Sequence, residues 1–266
     1  MSMRFSICVE MIFPELPPEA RLEEVVAAGF NAVEFWDWKT KDVDALARRC
    51  GELGLAVTTM SGQRAGSPLD PQEFELYRNE LVASIAAARR FSCPTLMLLT
   101  NALDADGRVV CPYSDIAPED KKDNCVRAFS ALAPLAAESG IRLLLEPLNT
   151  VVDHPGYWLD DAGRAFEIIR EVESPHLRVL YDLYHMQTMG RNVRRDIEGN
   201  LDAIGYFHAA DVPGRHEPGT GTMDYAGILA LLDESGYEGT FGFEFTPMRS
   251  SEEALLAIYD LVEPHL

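Results

Sequence analysis

Four polar side chains, Glu146, Asp182, His208 and Glu244, each stand at or just past the C-terminal end of an apolar run. Three carboxylates and one imidazole offer oxygen and nitrogen donors without a thiolate. That set suits Mg²⁺ or Mn²⁺ and accepts Co²⁺ or Zn²⁺. Glu146 and Glu244 directly follow apolar strand candidates, where a carboxylate is costly unless a cation or hydrogen bonds compensate. A structural salt bridge is the alternative; the convergence of four such ends favours a cationic site.

Further candidates surround these four. His185 follows Asp182 by three residues in Tyr181-Asp182-Leu183-Tyr184-His185 and can reach a substrate oxygen, or else is a loop histidine bonded to a backbone carbonyl. Arg215 lies in a Gly- and Pro-rich stretch after His208, where a guanidinium can be held over a small anion; pairing with Glu217 or Asp211 is the alternative. Glu34, Trp36 and Trp38 can wall the same mouth, although packing explains the tryptophans equally well, and Asn149 and His154 can approach from the segment after Glu146.

Bringing these residues together requires one barrel. The intervals between the four are 36, 26 and 36 residues, enough for a strand, a helix and two loops at about 3.3 Å per strand residue and about 1.5 Å per helical residue. Eight short apolar runs lie at 5–9, 32–36, 56–60, 95–99, 141–145, 179–181, 203–207 and 240–243. Their nearly unbroken hydrophobicity suits strands covered on both faces. Helices are expected between them at 18–28, 42–53, 71–91, 119–139, 159–171, 191–200, 224–235 and 251–262. Asp160 and Ser250 are cap candidates, and Gly29, Gly54, Gly140 and Gly236 occupy the turns back to the strands. Eight alternations close a barrel; an open doubly wound sheet is the structural alternative, but neither GxGxxG after the first strand candidate nor GxxxxGK[ST] is present. The turn-rich stretch 100–118 is a solvent-facing connection or an active-site rim.

One α/β barrel domain over residues 1–266 is therefore expected. The formal charge of −20 argues against a nucleic-acid partner. Five scattered cysteines without a CxxC pair suggest reduced thiols and a cytoplasmic protein, and no run of roughly 20 apolar residues suggests a membrane span.

The residues together resemble a family. Phe5-Ser6, Val33-Glu34-Phe35, Leu145-Glu146-Pro147-Leu148-Asn149, Tyr181-Asp182-Leu183-Tyr184-His185, the stretch from Ala210 to Gly221 and Gly242-Phe243-Glu244-Phe245 follow the order found in hydroxypyruvate isomerases. These belong to the xylose-isomerase-like (β/α)8 TIM barrels, which also contain ketose 3-epimerases. The resemblance implies a divalent cation held by Glu146, Asp182, His208 and Glu244, and proton exchange by Glu146 and Glu244. It also implies substrate contacts from His185 and Arg215, and a homo-oligomer as a family-level expectation. One departure stands at His208, where hydroxypyruvate isomerases commonly carry glutamine and ketose epimerases histidine.

The expected activity is a metal-assisted isomerase acting on a small α-hydroxycarbonyl acid or sugar through an enediolate, with hydroxypyruvate to tartronate semialdehyde as the leading reaction. No nucleotide or organic cofactor is expected. A ketose 3-epimerase is the near alternative and a non-catalytic sugar-binding protein the distant one. A phosphodiesterase on a related barrel would need a larger His-rich cluster than six histidines readily supply.

Overall fold

Alternation along the strands decides which side chains enter the barrel and which face the helices. The structure is a computed structural model that describes residues 3–266; the first two residues of the expected 1–266 unit lie outside the described residues. The strands are β1 Arg4–Cys8, β2 Ala32–Glu34, β3 Ala56–Val57, β4 Thr59–Ser61, β5 Thr95–Leu98, β6 Arg142–Leu145, β7 Leu177–Asp182, β8 Ile204–Ala209 and β9 Thr240–Phe243. Every ladder between them is parallel, in the order β3-β2-β1-β9-β8-β7-β6-β5-β4. β3 and β4 are one strand interrupted at Thr58, β3 pairing with β2 and β4 with β5, so the ring closes as an eight-stranded (β/α)8 barrel. The continuous third strand expected over 56–60 is thus divided. At the break the Thr58 N–H donates to Val33 O at 2.9 Å, while Thr58 O accepts from the Thr95 hydroxyl at 2.7 Å.

Outward residues such as Val33, Leu143, Leu145, Val179, Tyr181, Phe207, Phe241 and Phe243 join the helices in one continuous core. The covering helices are α1 Pro18–Ala27, α2 Val43–Leu53, α3 Phe74–Phe91, α4 Pro118–Ser139, α5 Ala162–Val172, α6 Leu183–Thr188, α7 Val193–Asn200, α8 Tyr225–Glu234 and α9 Ser251–Val262. The apolar stripes expected on α3 and α4 are buried at Tyr77, Leu81, Ile85, Cys125, Phe129 and Leu132. Ser250 caps α9 as expected. α5 is capped by Asp161 rather than Asp160, its Oδ1 accepting from Arg164 N at 3.0 Å. The single helix expected over 191–200 is preceded by a short one, α6, which Asp182 caps through His185 N. His185 therefore rides on a helix that starts at the strand end, not on a loop.

Inward residues form a separate small cluster of Met97, Leu144, Leu180 and Tyr206, with Trp36 against it. Two residues farther along their strands, on the same face, stand Glu146, Asp182 and His208, and Glu244 stands two beyond the inward Gly242. The register pairs Asp182 with His208 and His208 with Gly242. One layer of apolar filling thus lies directly beneath one layer of polar side chains at the C-terminal mouth.

Candidate active site

Glu146, Asp182, His208 and Glu244 are all buried, and each offers a ligand atom within 4.8 Å of the others. His208 Nδ1 lies 3.5 Å from Glu146 Oε1 and 3.6 Å from Glu244 Oε2. Both ring nitrogens are buried without a well-aligned hydrogen bond, and Nδ1 is the one that faces the cluster. The other ring nitrogen, Nε2, lies 2.8 Å from Glu34 Oε1. A carboxylate on the far side of the ring fixes which nitrogen turns to the cluster and raises its basicity. The donor set and the orphaned Nδ1 fit a divalent cation, which Glu146, Asp182, His208 and Glu244 would hold.

Electrostatics separate the carboxylates. Burial pushes Glu146 up and carries Asp182 to about 7. Burial acts on Glu244 in the same direction but is outweighed by Arg215 and His208, so Glu244 is held below the usual range. Its Oε2 accepts from the Arg215 guanidinium and its Oε1 from the Trp36 indole N–H. The same Arg215 nitrogen is 3.9 Å from Asp182 Oδ2, and the guanidinium lies over the Tyr184 ring, 5.4 Å from its centroid. Neither Glu217 nor Asp211 pairs with it; Glu217 accepts from Met248 N and Asp211 from the N–H groups of Val212, Gly219 and Met223. Arg215 has a left-handed backbone, φ 57°, and its segment is tied to the end of β9 by Thr246 N donating to Arg215 O at 2.8 Å.

Burial and the neighbouring Arg215 push His185 well below its usual range, so the ring is neutral. Its tautomer follows from Asn149, whose Oδ1 accepts from Val152 N and Asp153 N, both at 3.0 Å. Asn149 Nδ2 must then be the donor, to Asp153 Oδ2 at 2.5 Å and to His185 Nδ1 at 2.7 Å. With Nδ1 accepting, the His185 proton sits on Nε2, 3.5 Å from Asp182 Oδ2.

A cavity of about 120 Å³ opens above the cluster, and Trp36, Glu146, His154, His185, Arg215 and Glu244 are among its lining residues. Glu34 and Asn149, expected to touch substrate, instead stand behind His208 and His185: Glu34 Oε1 faces His208 Nε2 and its Oε2 accepts from Tyr206, while the Asn149 amide is taken up by Val152, Asp153 and His185. Trp38, expected in the same wall, turns to α3 and donates to Ser84 Oγ at 2.8 Å. The stretch 100–118 contributes Leu103, Asp104, Ala105 and Gly107 to the cavity wall, the rim role among its two readings. His154 Nδ1 donates to Gly107 O at 2.7 Å and ties that rim down. Ser61, Gln63, Arg64 and Met97 also line the cavity. Sequence reasoning did not single them out: Met97 sits within an apolar run, and no motif marks the segment after β4.

A family model described as xylose isomerase-like TIM barrel matches residues 22–261. The chain belongs to this family. Among its relatives is the hydroxypyruvate isomerase of Escherichia coli strain K12, 29% identical over 261 residues, covering 95% of this chain and 97% of that one. A 2-oxo-tetronate isomerase of Pectobacterium atrosepticum is 28% identical over 261 residues and covers 95% of each chain. Among solved structures, a family 2 AP endonuclease from Brucella melitensis superposes with a TM-score of 0.88, is 26% identical and covers 98% of both chains. Family membership and the buried cluster identify an enzyme of the metal-assisted isomerase and epimerase kind.

Proposed function

We propose that the chain interconverts small α-hydroxycarbonyl compounds by moving a proton between adjacent carbons, with hydroxypyruvate to tartronate semialdehyde as the leading reaction. The observation that carries this reading is that Glu146 and Glu244 both reach the cavity and both belong to the four-residue cluster. A divalent cation held there would polarise the carbonyl and the neighbouring hydroxyl oxygen and stabilise the charge that develops on them. One glutamate takes the proton from the hydroxyl-bearing carbon, leaving an enediolate, and a proton is returned to the former carbonyl carbon. His185, with its proton on Nε2, donates to a reacting oxygen. Arg215 holds Glu244 ionised and faces the substrate from the same wall. The relatives named for hydroxypyruvate and 2-oxo-tetronate support an acid as the substrate.

A second reading, epimerisation of a ketose by returning the proton to the opposite face of the same carbon, is favoured by the histidine at position 208. The two glutamates serve either outcome. Incubating the Mn²⁺- or Mg²⁺-loaded protein in D₂O with hydroxypyruvate, 2-oxo-tetronate and a panel of ketoses, and following carbon-bound deuterium together with product identity, tests both. Deuterium at the original carbonyl carbon with a new aldehyde product is expected for isomerisation, and deuterium at the neighbouring carbon of a ketose with inverted configuration for epimerisation; absence of exchange across the panel refutes proton transfer by this site.

A further inference from the structure

Resting on that reading, the question is what distinguishes an acid from a neutral ketose in this cavity. Arg215 is a poor candidate for the substrate's charge, because its guanidinium already faces Glu244 and Asp182. Its Nε, buried without a partner, suits a neutral oxygen. The other arginine that lines the cavity is Arg64.

Arg64 is half-buried, and among the described residues no hydrogen bond or ion pair engages its side chain. In a chain with 43 acidic residues against 23 basic ones, such isolation needs a cause. A carboxylate is in fact at hand: Glu80 Oε2 accepts from the Arg64 backbone N–H at 3.3 Å. Yet both Glu80 oxygens lie against Lys39 Nζ, at 2.5 and 2.7 Å, so that carboxylate is neutralised by another residue. Asp104, also on the wall, spends Oδ1 on the backbone N–H groups of Asp106 and Arg108 within its own turn.

The segment that carries Arg64 is fixed. Gly62 N donates to Met97 O at 2.7 Å, the Gln63 amide donates to Leu99 O and accepts from Leu99 N, and Ser67 Oγ donates to Thr100 O at 2.6 Å. A Cβ on Gly62 would come within 2.9 Å of Met97 O, so the segment lies directly on β5. Ser61, which ends β4 and lines the cavity, has a hydroxyl with no protein partner among the described residues. A planar fork of donors on a rigid mount, with a free hydroxyl lining the same cavity, matches a carboxylate.

We infer that Arg64, with the Ser61 hydroxyl lining the same cavity, reads the carboxylate of the substrate and makes this cavity selective for hydroxy-oxo acids over neutral ketoses of the same length. Arg64 is a specificity-determining residue and takes no part in the proton transfer.

The test compares wild type with Arg64→Met and Arg64→Lys. Glycerate, an inert hydroxy acid, is titrated calorimetrically into each Mg²⁺-loaded protein, and kcat/KM is measured for hydroxypyruvate and for dihydroxyacetone, its neutral counterpart of equal length. Losing a hydrogen-bonded charge contact should weaken glycerate binding roughly 10- to 100-fold in Arg64→Met, with Mg²⁺ affinity unchanged and Arg64→Lys intermediate. The ratio of kcat/KM for hydroxypyruvate over dihydroxyacetone should fall by a similar factor, through KM. Equal glycerate affinity in wild type and Arg64→Met, or no uptake by wild type, overturns the inference. Turnover with an unchanged ratio removes the acid subsite and leaves the reaction. Glycerate binding that depends on Arg64, without turnover of either compound, removes the reaction and leaves the subsite.

Discussion

Gly242 leaves the space that Glu34 fills: a Cβ at position 242 would stand 2.5 Å from Glu34 Oε2 and 2.9 Å from Tyr206 Cε1. Through that space Glu34 reaches across the barrel from β2 to His208 on β8. Its second oxygen accepts from the Tyr206 hydroxyl, which is 2.8 Å from Thr58 Oγ1, itself 2.7 Å from Ser6 Oγ. A glycine inside a strand often marks such a close approach.

Glu34→Gln should therefore weaken Mn²⁺ binding about 10- to 100-fold while leaving the fold intact, because an amide cannot present an acceptor to both His208 and Tyr206. Gly242→Ala should displace the same carboxylate and add an overpacking cost of about 1–3 kcal/mol, lowering Tm by several degrees. Calorimetric Mn²⁺ titration and thermal unfolding of both variants check this. Wild-type metal affinity in both would remove Glu34 from its positioning role.

Replacing Glu146 or Glu244 with Gln should lower kcat by roughly 10²- to 10⁴-fold, the usual worth of a positioned proton carrier. Circular dichroism should stay native. Near-normal rates in both variants would sink their assignment as proton carriers.

Metal affinity should rise with pH. Asp182, lifted by burial to about 7, and Glu146, lifted in the same direction, must ionise to bind a cation. In His208, burial lowers the proton affinity, but Glu34 and Glu244 outweigh it and hold the ring protonated well above its usual range; that proton must leave Nδ1. The signs for the metal-free chain agree. Between about 4 and about 7 the folded Asp182 keeps a proton that the unfolded chain releases, and from about 6.5 upward so does His208, so stability drains away as pH rises. A ligand hundredfold above its Kd adds about 2.7 kcal/mol, roughly 5–10 °C for a chain of this size. The Tm gap between Mn²⁺-loaded and chelated protein should widen from about pH 6 to about pH 8; a gap that narrows would contradict the assignment of these groups as ligands.

Asn149→Asp should disturb His185 without touching the cavity wall. A carboxylate behind Nδ1 draws the ring proton to that nitrogen and removes the Nε2–H donor. A loss of about tenfold or more in kcat is expected, together with a changed pH–rate profile. An unaltered profile would separate His185 from the reacting oxygen.

The barrel and the gathering of Glu146, Asp182, His208 and Glu244 at its mouth were legible in the sequence because each of the four ends an apolar run and the alternation beneath it is regular, as with Leu144 before Glu146 and Tyr206 before His208. Less visible were contacts made across the barrel. Nothing near Glu34 in the chain reveals that its carboxylate ends at His208, and the only local hint is the glycine at 242. Asn149 read as a substrate contact because its type and place suit one; its amide is consumed by Val152, Asp153 and His185, a matter of turn geometry. The break at Thr58 was hidden inside an apolar run, and α6 was hidden because a six-residue helix shows too little periodicity to stand out. Arg64 carried no signal beyond its charge, since its isolation becomes apparent only when Lys39 is found on Glu80.

The four clustered side chains stand at the ends of the consecutive strands β6 to β9, whereas Trp36, Ser61, Arg64, Met97 and Leu103 reach the cavity from the earlier part of the chain. The reacting cluster is thus gathered from the second half of the chain, while the first half supplies wall residues and two supports, Glu34 behind His208 and Trp36 on Glu244. Substitutions at Ser61, Arg64 or Leu103 can retune what enters while the four clustered side chains stay constant, whereas changes at Glu34 or Trp36 disturb the cluster itself.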